Sequence, residues 1–163
     1  MIDFIAEPVT VASAADVVPL LAMQLSEHGM PQDDRVLQDA VRGLVSRVDR
    51  GAILVAKRQD EAIGVAVLSY IWTLEHGGLS AWLDELYVLP LLRGRGVGTK
   101  LLGCAIARAQ ADGCRALDLE VDQDHARVER LYERSGFLRL PRRRFSLRWS
   151  PFGASSTGAL ADP

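Results

Sequence analysis

The stretch Arg93-Gly94-Arg95-Gly96-Val97-Gly98-Thr99 alternates glycine with other residues. It follows an apolar run that Pro90 ends, and it precedes a run of apolar residues at helical spacing. Glycine allows positive φ values and lets a ligand approach the main chain closely. Successive N–H groups at a helix N-terminus point toward one spot, where the helix dipole favours an anion. Because the two arginines add positive charge, the stretch predicts a diphosphate-binding loop; the alternative is a tight strand-to-helix turn without a ligand.

The spacing of the glycines distinguishes between kinds of diphosphate ligand. Dinucleotide-binding loops space their glycines Gly-x-Gly-x-x-Gly near the start of a βαβ unit, whereas this loop reads Gly94-x-Gly96-x-Gly98 deep in the chain. Loops that bind nucleoside triphosphates carry Gly-Lys-Ser/Thr after four intervening residues, and that pattern is missing here. Neither of these two ligand classes is therefore predicted.

The residues on both sides of the loop resemble those of the GCN5-related N-acetyltransferases, whose loop reads Gln/Arg-x-x-Gly-x-Gly/Ala. Leu86-Tyr87-Val88 precedes the loop, and Leu131-Tyr132-Glu133-Arg134-Ser135-Gly136-Phe137 follows it. The order of predicted strands and helices is also that of the family. The resemblance covers nearly the whole chain up to Trp149.

The resemblance implies an acetyl-CoA site with two parts. The main chain of Leu86, Tyr87 and Val88 would pair with the pantetheine arm like an added strand, and the loop amides would hold the pyrophosphate. At His125 the family commonly has an asparagine, and histidine can still donate one hydrogen bond. The residues implied to bind the cosubstrate are Leu86, Tyr87, Val88, Arg93, Gly94, Arg95, Gly96, Val97, Gly98, Thr99 and His125.

The reaction implied by the resemblance is direct attack of an amine on acetyl-CoA within a ternary complex. A backbone N–H near Val88 would polarise the thioester carbonyl, as in an oxyanion hole. Tyr132 matches the family's general acid, which protonates the leaving thiolate. The alternative for Tyr132 is a packed aromatic side chain on the helix face that it shares with Val128.

Asp84 and Glu85 precede Leu86 and provide two candidate bases. Their side chains would point to opposite faces of a regular strand, so only one would reach the cleft unless a bulge intervenes. The sequence around them resembles the polyamine and thialysine acetyltransferase branch, which carries a Glu-Asp pair in the reverse order. This pattern predicts a primary amine of a cationic small molecule as acceptor, whereas solvated strand residues are the alternative. A non-catalytic acetyl-CoA-binding module that acts through a protein partner is the rival function.

Apolar spacing predicts an α/β fold in one domain, residues 1–149, followed by a flexible tail at 150–163. The sheet is expected to be mixed, mostly antiparallel and twisted, flanked by helices and splayed at the acetyl-CoA site. The predicted strands are 2–8, 52–57, 62–72, 81–89 and 116–121, with a closing hairpin over 137–140 and 143–149. The predicted helices cover the apolar positions 17–25, 37–48 and 97–109, with a short helix from an Asp124 cap to Ser135.

The composition and the cysteine pattern limit which binding partners and which cellular compartment we expect for the protein. The 163 residues carry a net charge of −2, which argues against broad binding to nucleic acid. The start has no basic stretch before an apolar run, and the longest apolar run, Ile63 to Trp72, is too short to span a bilayer. Cys104 and Cys114 fit no metal or redox spacing. We therefore expect a cytoplasmic protein with no metal and no membrane partner, and, since the family often dimerises, a possible homodimer.

Overall fold

The computed structural model describes residues 3–121 and 126–147, without the side chains of residues 126 and 127. Within these ranges the strands are β1 (Ile5–Pro8), β2 (Gly51–Arg58), β3 (Glu61–Thr73), β4 (Gly78–Val88) and β5 (Leu117–Leu119). The helices are α1 (Val18–Glu27), α2 (Asp34–Val45), α3 (Val97–Ala111) and α4 (Ala126–Arg134). No helix in the described ranges is both long enough and apolar enough to cross a membrane.

The five strands form one sheet in the order β1-β2-β3-β4-β5. The first four pair antiparallel with their neighbours, whereas β5 pairs parallel with β4. The predicted mixed, mostly antiparallel sheet flanked by helices is therefore confirmed. The sequence allows either Asp33 or Asp34 to cap α2, and Asp33 is the cap, since it accepts a hydrogen bond from the Arg35 amide at 2.8 Å.

Each face of the sheet has its own apolar core. The face that we call the α3 face carries Leu83, Leu86 and Val88 of β4 and packs against α3 and α4. The opposite face, the α1 face, carries Val67 and Tyr87 and packs against α1 and α2. Strand β4 thus lies between two cores, and its end is held in place from both sides.

Several boundaries differ from the predicted ones, since β1 begins only at Ile5 and β4 begins already at Gly78. The fifth strand covers only Leu117–Leu119, and residues 137–147 contain no strand, so the closing hairpin is not found in that range. Leu138 and Phe145, which lie within the predicted hairpin, are 86% and 92% exposed. Helix α2 ends at Val45, which leaves Val48 outside the buried stripe at 83% exposed. Alternation alone does not say whether a partner strand is available for pairing.

Candidate active site

Strand β4 has an open edge beyond Leu83. It pairs with β5 only over Ala81–Leu83, whereas its pairing with β3 continues to Val88. The Leu89 amide donates to the Ile63 carbonyl oxygen at 3.0 Å, and polar groups alternate along an antiparallel strand. The main-chain groups of Leu86 and Val88 therefore face the open edge, while those of Tyr87 face β3. This edge can accept an added strand, as the predicted pantetheine contact requires.

A β-bulge at Asp84 changes the direction of the two carboxylates. Leu83 is opposite Leu68 and Glu85 is opposite Val67, so Asp84 is the extra residue between them. Val67 belongs to the α1 face, which places Glu85 there as well. Asp84 accepts a hydrogen bond from Ser69, which lies two residues from Val67 along β3 and so shares its face. The bulge thus brings both carboxylates to one face.

The two carboxyl groups lie in surroundings that disfavour their charge. Loss of water raises the pKa of Asp84, although the hydrogen bond from Ser69 and the charge of Arg144 oppose this effect. For Glu85, loss of water and then the charge of Asp84 raise the pKa to about 7. Glu85 can therefore gain or lose a proton near neutral pH, which is what a general base requires.

Tyr132 reaches the same region from helix α4 on the α3 face. Its ring is 9% exposed and packs edge-on against Phe137, with ring centroids 5.6 Å apart. Burial, followed by the charge of Glu85, raises the pKa of its hydroxyl to about 12. The charge of Glu85 thus acts on the Tyr132 hydroxyl although the two side chains lie on opposite faces of the sheet. Tyr132 is both a core residue and a titratable group.

The glycine-rich loop begins helix α3 as its sequence predicts. Gly94 and Gly96 have φ values of 77° and 86°, in the left-handed region that favours glycine. The Lys100 amide donates to the Gly96 carbonyl oxygen at 3.0 Å and closes the first helical turn. The amides of Val97, Gly98 and Thr99 have no acceptor within the helix and remain available to an anion.

The Arg93 side chain has a structural role that the sequence pattern did not predict. Its Nε donates to the Val88 carbonyl oxygen at 2.9 Å, and its Nη2 lies 2.8 and 2.9 Å from the two carboxylate oxygens of Glu27. The Tyr87 hydroxyl donates to the same carboxylate at 2.9 Å. Burial tends to raise the pKa of Glu27, but these hydrogen bonds outweigh it and lower the pKa. Arg93 thus ties the end of β4 to helix α1.

Other charges around the loop are arranged differently. Lys100 Nζ donates to the Phe4 carbonyl oxygen at 2.9 Å and is directed toward the N-terminal strand rather than the loop. Arg95 is exposed, and no ion pair or hydrogen bond joins it to another residue in the described ranges. Arg95 is therefore available to an anionic ligand. His125 lies outside the described residues, as does the predicted Asp124 cap.

These features fit acetyl-CoA. An anion can bind the first amides of α3 with Arg95 nearby, and the open edge of β4 can pair with an extended amide-containing arm. Glu27 is the participant that sequence reasoning missed. It lies 60 positions before Tyr87, and no local pattern connects an exposed helix glutamate with a distant loop arginine.

Comparisons with known proteins agree with this geometry. The chain is 27% identical over 128 residues to an uncharacterized N-acetyltransferase, YhfO, of Bacillus subtilis strain 168, covering 77% of this chain and 84% of that one. It is 30% identical over 83 residues to an aminoalkylphosphonate N-acetyltransferase of Salmonella typhimurium, covering 51% of this chain and 54% of the relative. A solved aminoglycoside N-acetyltransferase, AAC(6')-Iy in complex with CoA, superposes with a TM-score of 0.77 at 18% identity, covering 90% and 95% of the two chains.

The family comparison covers most of the chain. The sequence model that describes the acetyltransferase (GNAT) family matches residues 16–137. This range includes α1, the glycine-rich loop, β4 and Tyr132. The same range contains the open strand edge and the free amides of α3. The chain therefore belongs to the GNAT family and is an acetyltransferase.

Proposed function

We propose that this acetyltransferase transfers the acetyl group of acetyl-CoA to a primary amine of a cationic small molecule. The observation that carries the proposal is Glu85, a carboxyl group with a pKa of about 7 on the strand whose open edge would hold the thioester. A group with that pKa is half deprotonated near neutral pH. It can therefore accept a proton from an incoming ammonium group.

Acetyl-CoA supplies the activated acetyl group, and this chain would hold it through main-chain groups. The amides of Val97, Gly98 and Thr99 would bind the pyrophosphate. The exposed Arg95 side chain would place a positive charge beside it. Leu86 and Val88 would pair with the pantetheine arm. The Val88 N–H, which faces the open edge, would donate to the thioester carbonyl oxygen as negative charge develops there.

Proton removal is needed because an alkyl ammonium ion has no lone pair to attack with. At pH 7 only about one molecule in a thousand of such an amine is neutral. Glu85 would take the proton, directly or through one water molecule. Asp84 lies on the same face and would attract the cation while its own negative charge helps to keep the pKa of Glu85 high.

Tyr132 would donate a proton to the departing thiolate. With a pKa of about 12 against about 8.5 for a thiol, donation is uphill by about 5 kcal/mol in the resting protein. The charge of Glu85 contributes to this barrier. Once Glu85 has taken the proton of the amine it is neutral, and its contribution disappears. Protonation of Glu85 by the amine therefore lowers the free-energy cost of proton donation from Tyr132 to the departing thiolate.

The nature of the acceptor rests on two supports. Asp84 and Glu85 place two carboxyl groups on one face beside the open edge, which suits a cationic amine. The resemblance to the polyamine and thialysine branch points to the same class. A relative named for aminoalkylphosphonates covers only 51% of this chain, and its named substrate also carries an amino group on a small molecule.

The experiment that tests the proposal is a steady-state assay of CoA thiol release with a panel of amines. Alkyl diamines should be acetylated, with the acetylated product identified by mass spectrometry. Glu85→Gln should lower kcat/KM for diamines by about 10²-fold or more, the usual contribution of general base catalysis. Weakly basic arylamines, which need no deprotonation, should be affected much less. Equal losses for both classes, or no loss, would remove Glu85 as the base.

A domain over residues 1–149, a cytoplasmic location and a possible homodimer remain predictions. The tail at 150–163 lies outside the described residues. The rival function, a binding module without catalysis, predicts no thiol release with any amine.

A further inference from the structure

Arg144 lies beside the proposed acceptor face and is held there by two kinds of contact. Its Nη1 donates to Glu120 Oε2 at 2.6 Å, and its guanidinium carbon is 5.9 Å from the centroid of the Trp82 ring. Its charge also lowers the pKa of Asp84 against the effect of burial. A cation of the protein itself thus contacts an aromatic ring and the Glu120 carboxylate, and its charge acts on Asp84.

The register of the sheet places this cation next to the proposed base. Trp82 is opposite Ser69, and Ser69 bonds Asp84, so Trp82 lies on the α1 face with both carboxylates. In the parallel pair, Trp82 is opposite Asp118, and Glu120 follows two residues later on the same face. Trp82, Glu120 and the two carboxylates of the bulge therefore share the α1 face of the sheet.

We propose that Trp82, Glu120 and Asp84 form a subsite for the distal cation of the acceptor, and that Arg144 occupies this subsite until a substrate displaces it. The inference rests on the proposed function because it assigns a second contact to the same acceptor. The preferred acceptor is then a diamine rather than a monoamine. One nitrogen lies at Glu85, and the other replaces the Arg144 guanidinium.

The chemistry of the subsite suits an ammonium group as well as it suits a guanidinium. An ammonium over a tryptophan ring gains a cation–π attraction, and a carboxylate beside it adds a hydrogen bond. Arg144 is tethered and 64% exposed, so its hold on the subsite is weak enough for a ligand to displace it. Arg144 would therefore weaken the binding of dications, which must displace it, and would have little effect on a monocationic amine that binds at Glu85 alone.

Arg142 provides a matched control on the same segment. Its guanidinium forms two hydrogen bonds with Glu75, at 2.9 and 2.5 Å, and none with the subsite residues. Arg142→Gln loosens the attachment of the segment to the sheet, whereas Arg144→Gln does so and also empties the subsite. A difference between the two variants therefore reports the cation rather than the attachment.

The test is calorimetric titration of 1,4-diaminobutane and of butylamine into the full chain without acetyl-CoA. Arg144→Gln should lower the Kd of the diamine about fivefold, the upper range for an exposed ion pair, and change that of butylamine less than twofold. Adding Glu120→Gln to Arg144→Gln should reverse the gain. Arg142→Gln should leave both Kd values at the wild-type level.

Several outcomes would overturn the inference. Equal gains in the Arg142 and Arg144 variants would mean that the segment only covers the cleft. Weaker diamine binding in Arg144→Gln, or no diamine binding in either variant, would mean that no cation subsite exists. Because binding is read without acetyl-CoA, failure of the proposed function would be seen separately, as the absence of acetylated diamine in the wild-type assay.

Discussion

Arg93 donates a hydrogen bond through Nε to the main-chain carbonyl oxygen of Val88 at 2.9 Å. The contact joins the loop that would hold the pyrophosphate to the strand end that would hold the thioester. Since the same side chain also binds Glu27 of α1, it links both parts of the proposed acetyl-CoA site to the helix layer behind them. Arg93, a residue of the predicted diphosphate-binding loop, thus orients the main chain at the end of β4.

Arg93→Gln should lower both stability and acetyl-CoA affinity, because the end of β4 loses its anchor. Removing hydrogen bonds to a charged group predicts a loss of about 1–2 kcal/mol in the free energy of unfolding. Urea denaturation and calorimetry measure the two effects. Arg95→Gln is the matched control, since Arg95 is exposed: it should weaken acetyl-CoA binding and leave stability unchanged. Equal stability of the two variants would contradict an anchoring role for Arg93.

Glu85→Gln should raise stability at pH 8 while lowering activity toward diamines. Folding raises the pKa of Glu85 from its ordinary value of 4.5 to about 7, so the native state binds the proton more tightly than the unfolded state does. Its contribution to stability is complete below pH 4.5 and falls as the pH rises toward 7. A neutral glutamine avoids this loss, which amounts to about 1–3 kcal/mol.

Thermal unfolding of wild type and Glu85→Gln across pH 4 to 8 measures this difference. The two curves should converge at the acidic end and separate as the pH rises. In the wild type, kcat/KM should increase up to about pH 7 as the base ionises. A constant difference in melting temperature at every pH would show that the effect is unrelated to titration of Glu85.

Tyr132→Phe should lower kcat by about 10²- to 10⁴-fold, the usual range for a general acid. The fold should persist because phenylalanine keeps the edge-on contact with Phe137. The Kd for acetyl-CoA should be nearly unchanged, since the hydroxyl matters when the thiolate departs. Wild-type turnover in this variant would reduce Tyr132 to a packing residue.

Removal of residues 150–163 should change the melting temperature little. This segment contains few large apolar side chains, so it has little to contribute to a core. Differential scanning calorimetry of the shortened and full chains tests the domain boundary. A marked fall in melting temperature would place part of the segment within the folded unit.

The sequence predicts the parts of the fold that local rules determine. Glycine at alternate positions before a helical pattern predicts the turn with Gly94 and Gly96 at positive φ, and the aspartates before an apolar pattern predict that one of them, Asp33 or Asp34, caps α2. The positions of Glu85 and Tyr132 on opposite faces, and the effect of the Glu85 charge on Tyr132, depend on packing between elements far apart in the chain. The motif around Tyr132 predicts a catalytic role for it, and that role stays a prediction.

The bulge at Asp84 shows where sequence reasoning ends. Strict alternation predicts one carboxylate on each face, and only the change in register between β3 and β4 brings both to the α1 face. The anchoring contact of Arg93 could not be predicted from the sequence either, because its partner Glu27 lies 66 positions away. The prediction of a closing hairpin was wrong for residues 137–147, because an alternating pattern cannot show whether a neighbouring strand is present to pair with.

The central claim is that acetyl-CoA binds through the first amides of α3, and calorimetric titration of acetyl-CoA tests it most directly. Gly96 is unsuitable for substitution because any side chain at a φ of 86° is strained. Thr99 is exposed in the first turn of α3, where glutamate favours the helix. Thr99→Glu should fold normally and lose most of its affinity for acetyl-CoA, whereas Thr99→Gln, of similar shape without the charge, should retain far more. Equal affinity in the two variants would contradict the claim.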